Sequence, residues 1–191
     1  ELSACRAAMQ IRVAMAEDRE QRRLGGERVL SIGIGIHSGP VVFGSIGAKD
    51  RMDFTSIGDT VNLAARLEGA NKTYGTKSLI TASVHAKVRE QFLCREVDLL
   101  TVKGKRQPVR IYELLQEHRA AGDKLQELKK NFEGGLACYR RRQWAEAQKA
   151  FAYLARRYED EASEVFLRRV ELFRKAPPAE DWNGVFDLTV K

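Results

Sequence analysis

Cysteine, proline and histidine are scarce in this chain: three, four and three of 191 residues. Cys5, Cys94 and Cys138 are odd in number and far apart, with no CxxC pair and no histidine at ligand spacing. That excludes a disulfide framework and a cysteine-rich zinc site, and a reduced, cytoplasmic setting is expected. No run of about 18 apolar residues occurs, so no transmembrane helix is expected. The opening ELSACRAAMQ lacks the charged, apolar and small-residue order of a secretory signal. An anchor, if the protein has one, lies elsewhere. Also missing are GxxxxGK[ST] and a GxGxxG that opens a helix, which removes the P-loop and dinucleotide-fold readings.

What is present suits a soluble protein of one or two domains: 43% hydrophobic and 31% charged residues, with a formal net charge of +7. Residues 1–116 carry 18 Lys and Arg against 13 Asp and Glu, and residues 117–191 carry 15 against 13. A basic surplus suits an anionic ligand such as a nucleotide, a nucleic acid or an acidic lipid surface, and ordinary solvation explains it equally well.

Apolar residues at Leu2, Cys5, Met9, Val13 and Ala16 recur at helical spacing, predicting an amphipathic helix to about Gln21 that packs on a sheet. VLSIGIGIHSG, residues 29–39, alternates isoleucines with glycine, serine and histidine, as a strand with one apolar face does. Two glycines on its other face mark a close approach of a packed helix or a ligand. PVVFGSIG and MDFTSIG read as a hairpin returning along the sheet edge. Asp59 reads as the N-cap of a helix TVNLAARLEGA that ends near Gly69. Strand SLIT, helix ASVHAKVREQF and a hairpin from LLTVKGK into PVRIYELL complete an α/β segment, 1–116.

From residue 117 to 191 the patterns are helical. Gly135, Trp144, Ala147 and Phe151 fall at the offsets of one tetratricopeptide-type helix pair, and EASEVFLRRVELF begins a unit that is not completed. Such an array must lean on the α/β part or on a partner protein. The runs RRR (140–142), ARR (155–157) and LRR (167–169) read as a solvated face and not as a nucleic-acid surface, because acids are interspersed. Pro177-Pro178 must end the last helix. The apolar Trp182, Val185, Phe186 and Leu188 are then expected to fold back over the array, with Trp182 as anchor.

Asn62 and Arg66 lie four residues apart on one helix face just after a glycine turn. An amide beside a guanidinium at a helix N-terminus suits a sugar oxygen next to a phosphate, and an ordinary exposed polar face has the same spacing. His37, alone in an apolar strand, reads as structural. Taken together, GIGIHSGPVVFGSIG, RMDFTSIGDTVNLAAR and TVKGK resemble the catalytic domain of class III nucleotidyl cyclases of the bacterial adenylate cyclase type, from the start of the chain to about residue 115.

The resemblance implies an α+β fold: part of the ferredoxin-like cyclase sheet with packed helices, here followed by an all-α, tetratricopeptide-like segment. It implies that Asn62 orients the ribose of ATP and that Arg66 stabilises charge on the α-phosphate as pyrophosphate leaves. Thr55 falls at the purine-selecting position, in the adenine-using form, and Lys103 and Lys105 fall where the family brings lysine to the β- and γ-phosphates. It also implies a homodimer and two Mg²⁺ or Mn²⁺ ions held by a pair of aspartates that fall outside this chain, so that residues 1–191 alone are expected to be inactive. Asp53 and Asp59 do not replace that pair. A guanylate-using enzyme, and a helical interaction module on a non-catalytic cyclase platform, are the alternatives.

Overall fold

Helical periodicity at the start of the chain becomes α1 (Leu2–Leu24), whose Cys5 and Ala8 are buried. In the computed structural model, residues 1–48, 51–101 and 108–185 are described. After α1 come β1 (Ile34–Ile36), β2 (Val42–Ala48), β3 (Arg51–Ile57), α2 (Asp59–Tyr74), β4 (Ser78–Thr81), α3 (Ala82–Val88), β5 (Phe92–Leu100) and β6 (Val109–Glu117). Three helices follow, α4 (Asp123–Arg140), α5 (Trp144–Tyr158) and α6 (Glu161–Lys175). This is the expected class, a mixed α+β unit with a helical tail. Four strands form one sheet in the order β1-β4-β6-β5, with β1 parallel to β4 and the other pairs antiparallel.

Several local expectations are corrected. The strand expected over 29–39 shrinks to three residues because its partner β4 has only four, pairing Ile34 with Ser78 and Ile36 with Ile80. Among the described residues the β2–β3 hairpin does not extend the main sheet edge: its strands pair only with each other, as a separate two-stranded ribbon. Asp59 is not the N-cap. Gly58 takes that place with φ of 137°, a value that favours glycine, and α2 opens at Asp59. Nor does α2 end near Gly69. It runs to Tyr74, because burying Ala70, Asn71 and Tyr74 outweighs one helical glycine, and it stops at Gly75 with φ of 65°. The third helix ends at Val88, and Phe92 begins β5 instead.

Each face of the sheet has its own core. Cys5 and Ala8 of α1 meet Val84 and Val88 of α3 over Ile80, Cys94 and Leu114. Burial pushes the Cys5 thiol up to about 11 and the Cys94 thiol up to about 12, so both are unreactive packing groups. On the other face, Leu67, Tyr74, Leu79, Val97 and Ile111 share one continuous cluster with Phe132, Phe151, Leu154 and Phe166 of the tail. The helical segment therefore leans on the α/β part. Gly135 allows the tight α4–α5 contact: a Cβ there would lie 3.0 Å from the Ala150 Cβ.

Buried charge stitches the same seam. Arg95 Nε on β5 donates to Glu113 Oε2 at 2.8 Å and its Nη2 donates to Asp160 Oδ1 at 2.7 Å. Asp160 caps α6, its Oδ2 accepting from Ser163 N at 3.0 Å and Ser163 Oγ at 2.6 Å. Burial acts to raise the Asp160 carboxyl, but the Arg95 hydrogen bond and charge and the Ser163 donors outweigh it and hold it below the usual carboxylate range. A carboxylate depressed in the folded state adds stability above its unfolded pKa of about 3.9, and that stability is lost as pH falls through the lower folded value. Melting temperature is therefore expected to decline below about pH 4. Asp160→Asn should be less stable at pH 7 and should flatten that part of the decline; thermal melts of both proteins from neutral to acid pH check this.

Beyond α6 the helix stops at Lys175, just before Pro177-Pro178. The Trp182 ring returns to within 5.3 Å of Tyr139 and 5.1 Å of Phe173, and its Nε1 donates to the Val185 carbonyl at 2.6 Å. Phe186 and Leu188, assigned to the same cluster from sequence, lie outside the described residues.

Candidate functional site

The site begins with glycine. A Cβ on Gly35 of β1 would lie 2.3 Å from the Ala64 carbonyl oxygen and 2.5 Å from the Glu68 nitrogen, and one on Gly33 would lie 2.8 Å from the Glu68 oxygen. Backbone of α2 thus rests directly on backbone of the β1 segment, and the two glycines are explained by helix packing and not by a ligand. Leu63, Leu67, Ala70, Asn71 and Tyr74 form the buried stripe of α2. Asn71 Nδ2 donates to the Ile34 carbonyl at 3.1 Å, and its Oδ1 accepts from Thr76 Oγ1 at 2.9 Å, tying helix to strand. At the N-terminal end, Thr60 Oγ1 donates to the Pro40 carbonyl at 2.7 Å.

Asn62 and Arg66 stand on the flank of that stripe, one helical turn apart and exposed to solvent. Thr55 is exposed on β3, paired with Gly44. It lies on the ribbon face opposite to Phe43 and Phe54, since alternate strand residues point to opposite sides. Asn62 and Arg66 therefore share an edge of α2, while Thr55 stands on a separate element, the β2–β3 ribbon. Lys103 and Lys105 lie outside the described residues. His37 is structural, its Nδ1 lying 2.9 Å from Thr81 Oγ1.

The family model described as "Adenylate and Guanylate cyclase catalytic domain" matches residues 2–116. The chain belongs to this family. Adenylate cyclase 1 of Rhizobium meliloti is 38% identical over 117 residues, covering 61% of this chain and 18% of the relative. Adenylate cyclase of Anabaena cylindrica is 48% identical over 88 residues, covering 44% and 18%. The chain thus spans about a fifth of the length of these relatives. The crystal structure of the adenylyl cyclase CyaB from P. aeruginosa aligns with a TM-score of 0.51 at 34% identity, over 61% of this chain and 60% of that one.

Among the described residues of the cyclase domain, Asp53 and Asp59 are not gathered into a metal centre. Asp53 is exposed on β3 and Asp59 is exposed at the start of α2. Among the described residues no group of three or more His, Cys, Asp or Glu side chains is gathered. Among the described residues, too, no helix is long and apolar enough to cross a membrane.

Sequence reasoning missed the polar seam behind α2. Arg169, read as part of a solvated LRR run, is only 4% exposed and bonds to Asp98 of β5; Arg140 of the RRR run bonds to Glu96 at 2.5 Å. Arg156, Arg157 and Arg168 are exposed as expected. The available signal was Arg95 and Asp98 inside the apolar run FLCREVDLL, where charge survives burial only if paired.

Proposed function

We propose that this chain is the later part of an adenylate cyclase catalytic domain that converts ATP to 3′,5′-cyclic AMP and pyrophosphate in intracellular signalling. The observation that carries this is the Asn62–Arg66 edge: a solvent-open amide and guanidinium on a helix seated backbone to backbone on the glycine strand. Membership of the cyclase family supports it. Asn62 hydrogen-bonds the ribose and holds the 3′-hydroxyl in line with the α-phosphorus. A bond then forms from the 3′-oxygen to that phosphorus as the bond to the pyrophosphate oxygen breaks, and the 3′-hydroxyl proton passes to solvent water at this open edge. Arg66 donates to the phosphoryl oxygens whose charge rises in between. Thr55 takes the purine edge, its hydroxyl both donating and accepting, and Lys103 and Lys105 hold the β- and γ-phosphates. The two Mg²⁺ or Mn²⁺ ions that the family uses would be held by aspartates outside residues 1–191 and would supply charge neutralisation at the phosphates.

A second copy of the protein completes the site. Phe43, Met52 and Phe54 are 60–69% exposed on one face of the β2–β3 ribbon, with the two phenylalanine rings 4.6 Å apart. An exposed apolar patch of this kind supports burial against another protomer. The tetratricopeptide-like tail supports a protein partner of its own.

The deciding experiment measures cyclic AMP and cyclic GMP made by the full-length protein with ATP or GTP and either metal, alongside residues 1–191 alone. Cyclic AMP from the full-length protein and none from residues 1–191 is expected. Cyclic GMP as the main product would replace adenine by guanine, and turnover by residues 1–191 would overturn the external placement of the metal ligands. Sedimentation of the full-length protein checks the dimer.

A further inference from the structure

Three elements meet on one buried oxygen. Tyr74 closes α2, Asp98 lies in β5 and Arg169 in the tail helix α6; Tyr74 and Asp98 are 0% exposed and Arg169 is 4% exposed. Tyr74 Oη donates to Asp98 Oδ2 at 2.7 Å, and the same oxygen accepts from Arg169 Nη1. The Arg169 guanidinium also lies over the Tyr74 ring, 5.1 Å from its centroid. Burial and the Asp98 charge push the Tyr74 phenol well above its ordinary range, so the hydroxyl keeps its proton and remains the donor.

Resting on the reading of Asn62 and Arg66 as the cyclase edge, we propose that Arg169 is a positioning residue for that edge. Through Asp98 and Tyr74, the helical tail sets how far α2 advances and how it is rotated over β1. Tyr74 follows Arg66 by eight residues of one uninterrupted helix, about 12 Å at 1.5 Å per residue. A rigid helix transfers a shift or rotation at its closing turn to its opening turns. The remaining anchor near that end, Asn71 on the Ile34 carbonyl, ties α2 to β1 but not to the tail. The Asp98 link adds a directional, charged tie between α2 and α6 to the apolar contact the two helices make in their shared core. A charged link in an apolar seam has discrete made and broken arrangements, which is what coupling between two parts of a protein requires. Any ligand or partner that displaces α6 therefore changes the output of the cyclase edge.

The test compares Tyr74→Phe and Arg169→Met with the parent in the full-length protein, reading kcat, KM for ATP, and hydrogen exchange of α2 and α3. Tyr74→Phe removes one hydroxyl and keeps the packing, so it remains informative if Arg169→Met folds poorly. Both variants are expected to lower kcat about tenfold with KM changed less than about threefold, because catalytic geometry and not ground-state binding is disturbed. Exchange is expected to quicken at least about fivefold in α2 while α3, on the other face of the sheet, stays as it was. Arg169→Lys should recover part of kcat. Unchanged kcat and α2 exchange in Tyr74→Phe would overturn the proposal, as would equal quickening in α2 and α3, which marks a general loss of stability. If the parent itself makes no cyclic nucleotide, the cyclase reading fails, and the exchange pattern still decides whether Arg169 positions α2.

Discussion

Replacing Arg66 by alanine in the full-length protein is expected to lower cyclic AMP turnover by a hundredfold or more, while ATP binding weakens much less. A donor aimed at charge that develops only in the transition state is worth about 2.7–4 kcal/mol when it is removed. Arg66 meets the requirement of fixed placement: α2 is pinned to β1 by Asn71 and by backbone contact at Gly35, so the guanidinium starts from a rigid base. It is also solvent-exposed and outside the buried ion pairs described above, so the variant should fold with its melting temperature within about 2 °C of the parent, as surface changes usually do. Arg66→Lys keeps the charge but loses the planar fork, and an intermediate turnover is expected. Single-turnover rates and ATP affinity, measured separately, distinguish the outcomes. An equal loss in affinity with turnover intact would make Arg66 a ground-state phosphate clamp.

Gly35→Ala is expected to be severely destabilising. The new Cβ would fall 2.3 Å from the Ala64 carbonyl oxygen, a backbone atom that cannot rotate away, so α2 must lift from β1 along its site-bearing half. Overpacking of this kind costs about 3 kcal/mol. For a chain of this size that is a drop in melting temperature of roughly 6–12 °C. Lifting α2 also moves Asn62 and Arg66, so turnover should fall together with stability. Gly134→Ala is the control. It adds the same methyl to an exposed turn of α4 where nothing lies within 4 Å, and it removes a helical glycine, so it should stabilise by about 0.5–1 kcal/mol. Thermal melts of both variants suffice, and a Gly35→Ala protein as stable as the parent would sink the backbone-contact account.

The same two residues show where sequence reasoning succeeds and where it stops. Periodicity placed α1, α2, β4 and the three tail helices, because each carries an apolar stripe at a period local enough to read along the chain. The turn before DTVNLAAR and the i, i+4 spacing put Asn62 and Arg66 on one edge without any tertiary information, since both follow from helix geometry alone. The alternation in SIGIGIH marked a close approach at Gly33 and Gly35. What came close was decided only by the packing, in which α2 and no ligand fills the space.

The misreadings share a cause. Gly69 looked like a helix end and LRR like a solvated face, because local preference favours a break at glycine and exposure of arginine. Both preferences were overridden by partners distant in sequence: Tyr74 gains a buried place against β5 and α6, and Arg169 gains Asp98, 71 residues away. The hairpin that seemed to extend the sheet became a ribbon of its own, since strand pairing is a property of two segments and not of one. The chain's own pattern thus determined its elements and its chemical edge. Which elements share a core, and which charges can be buried there, was decided by tertiary structure, because desolvating a charge is tolerable only where the fold delivers its counter-charge.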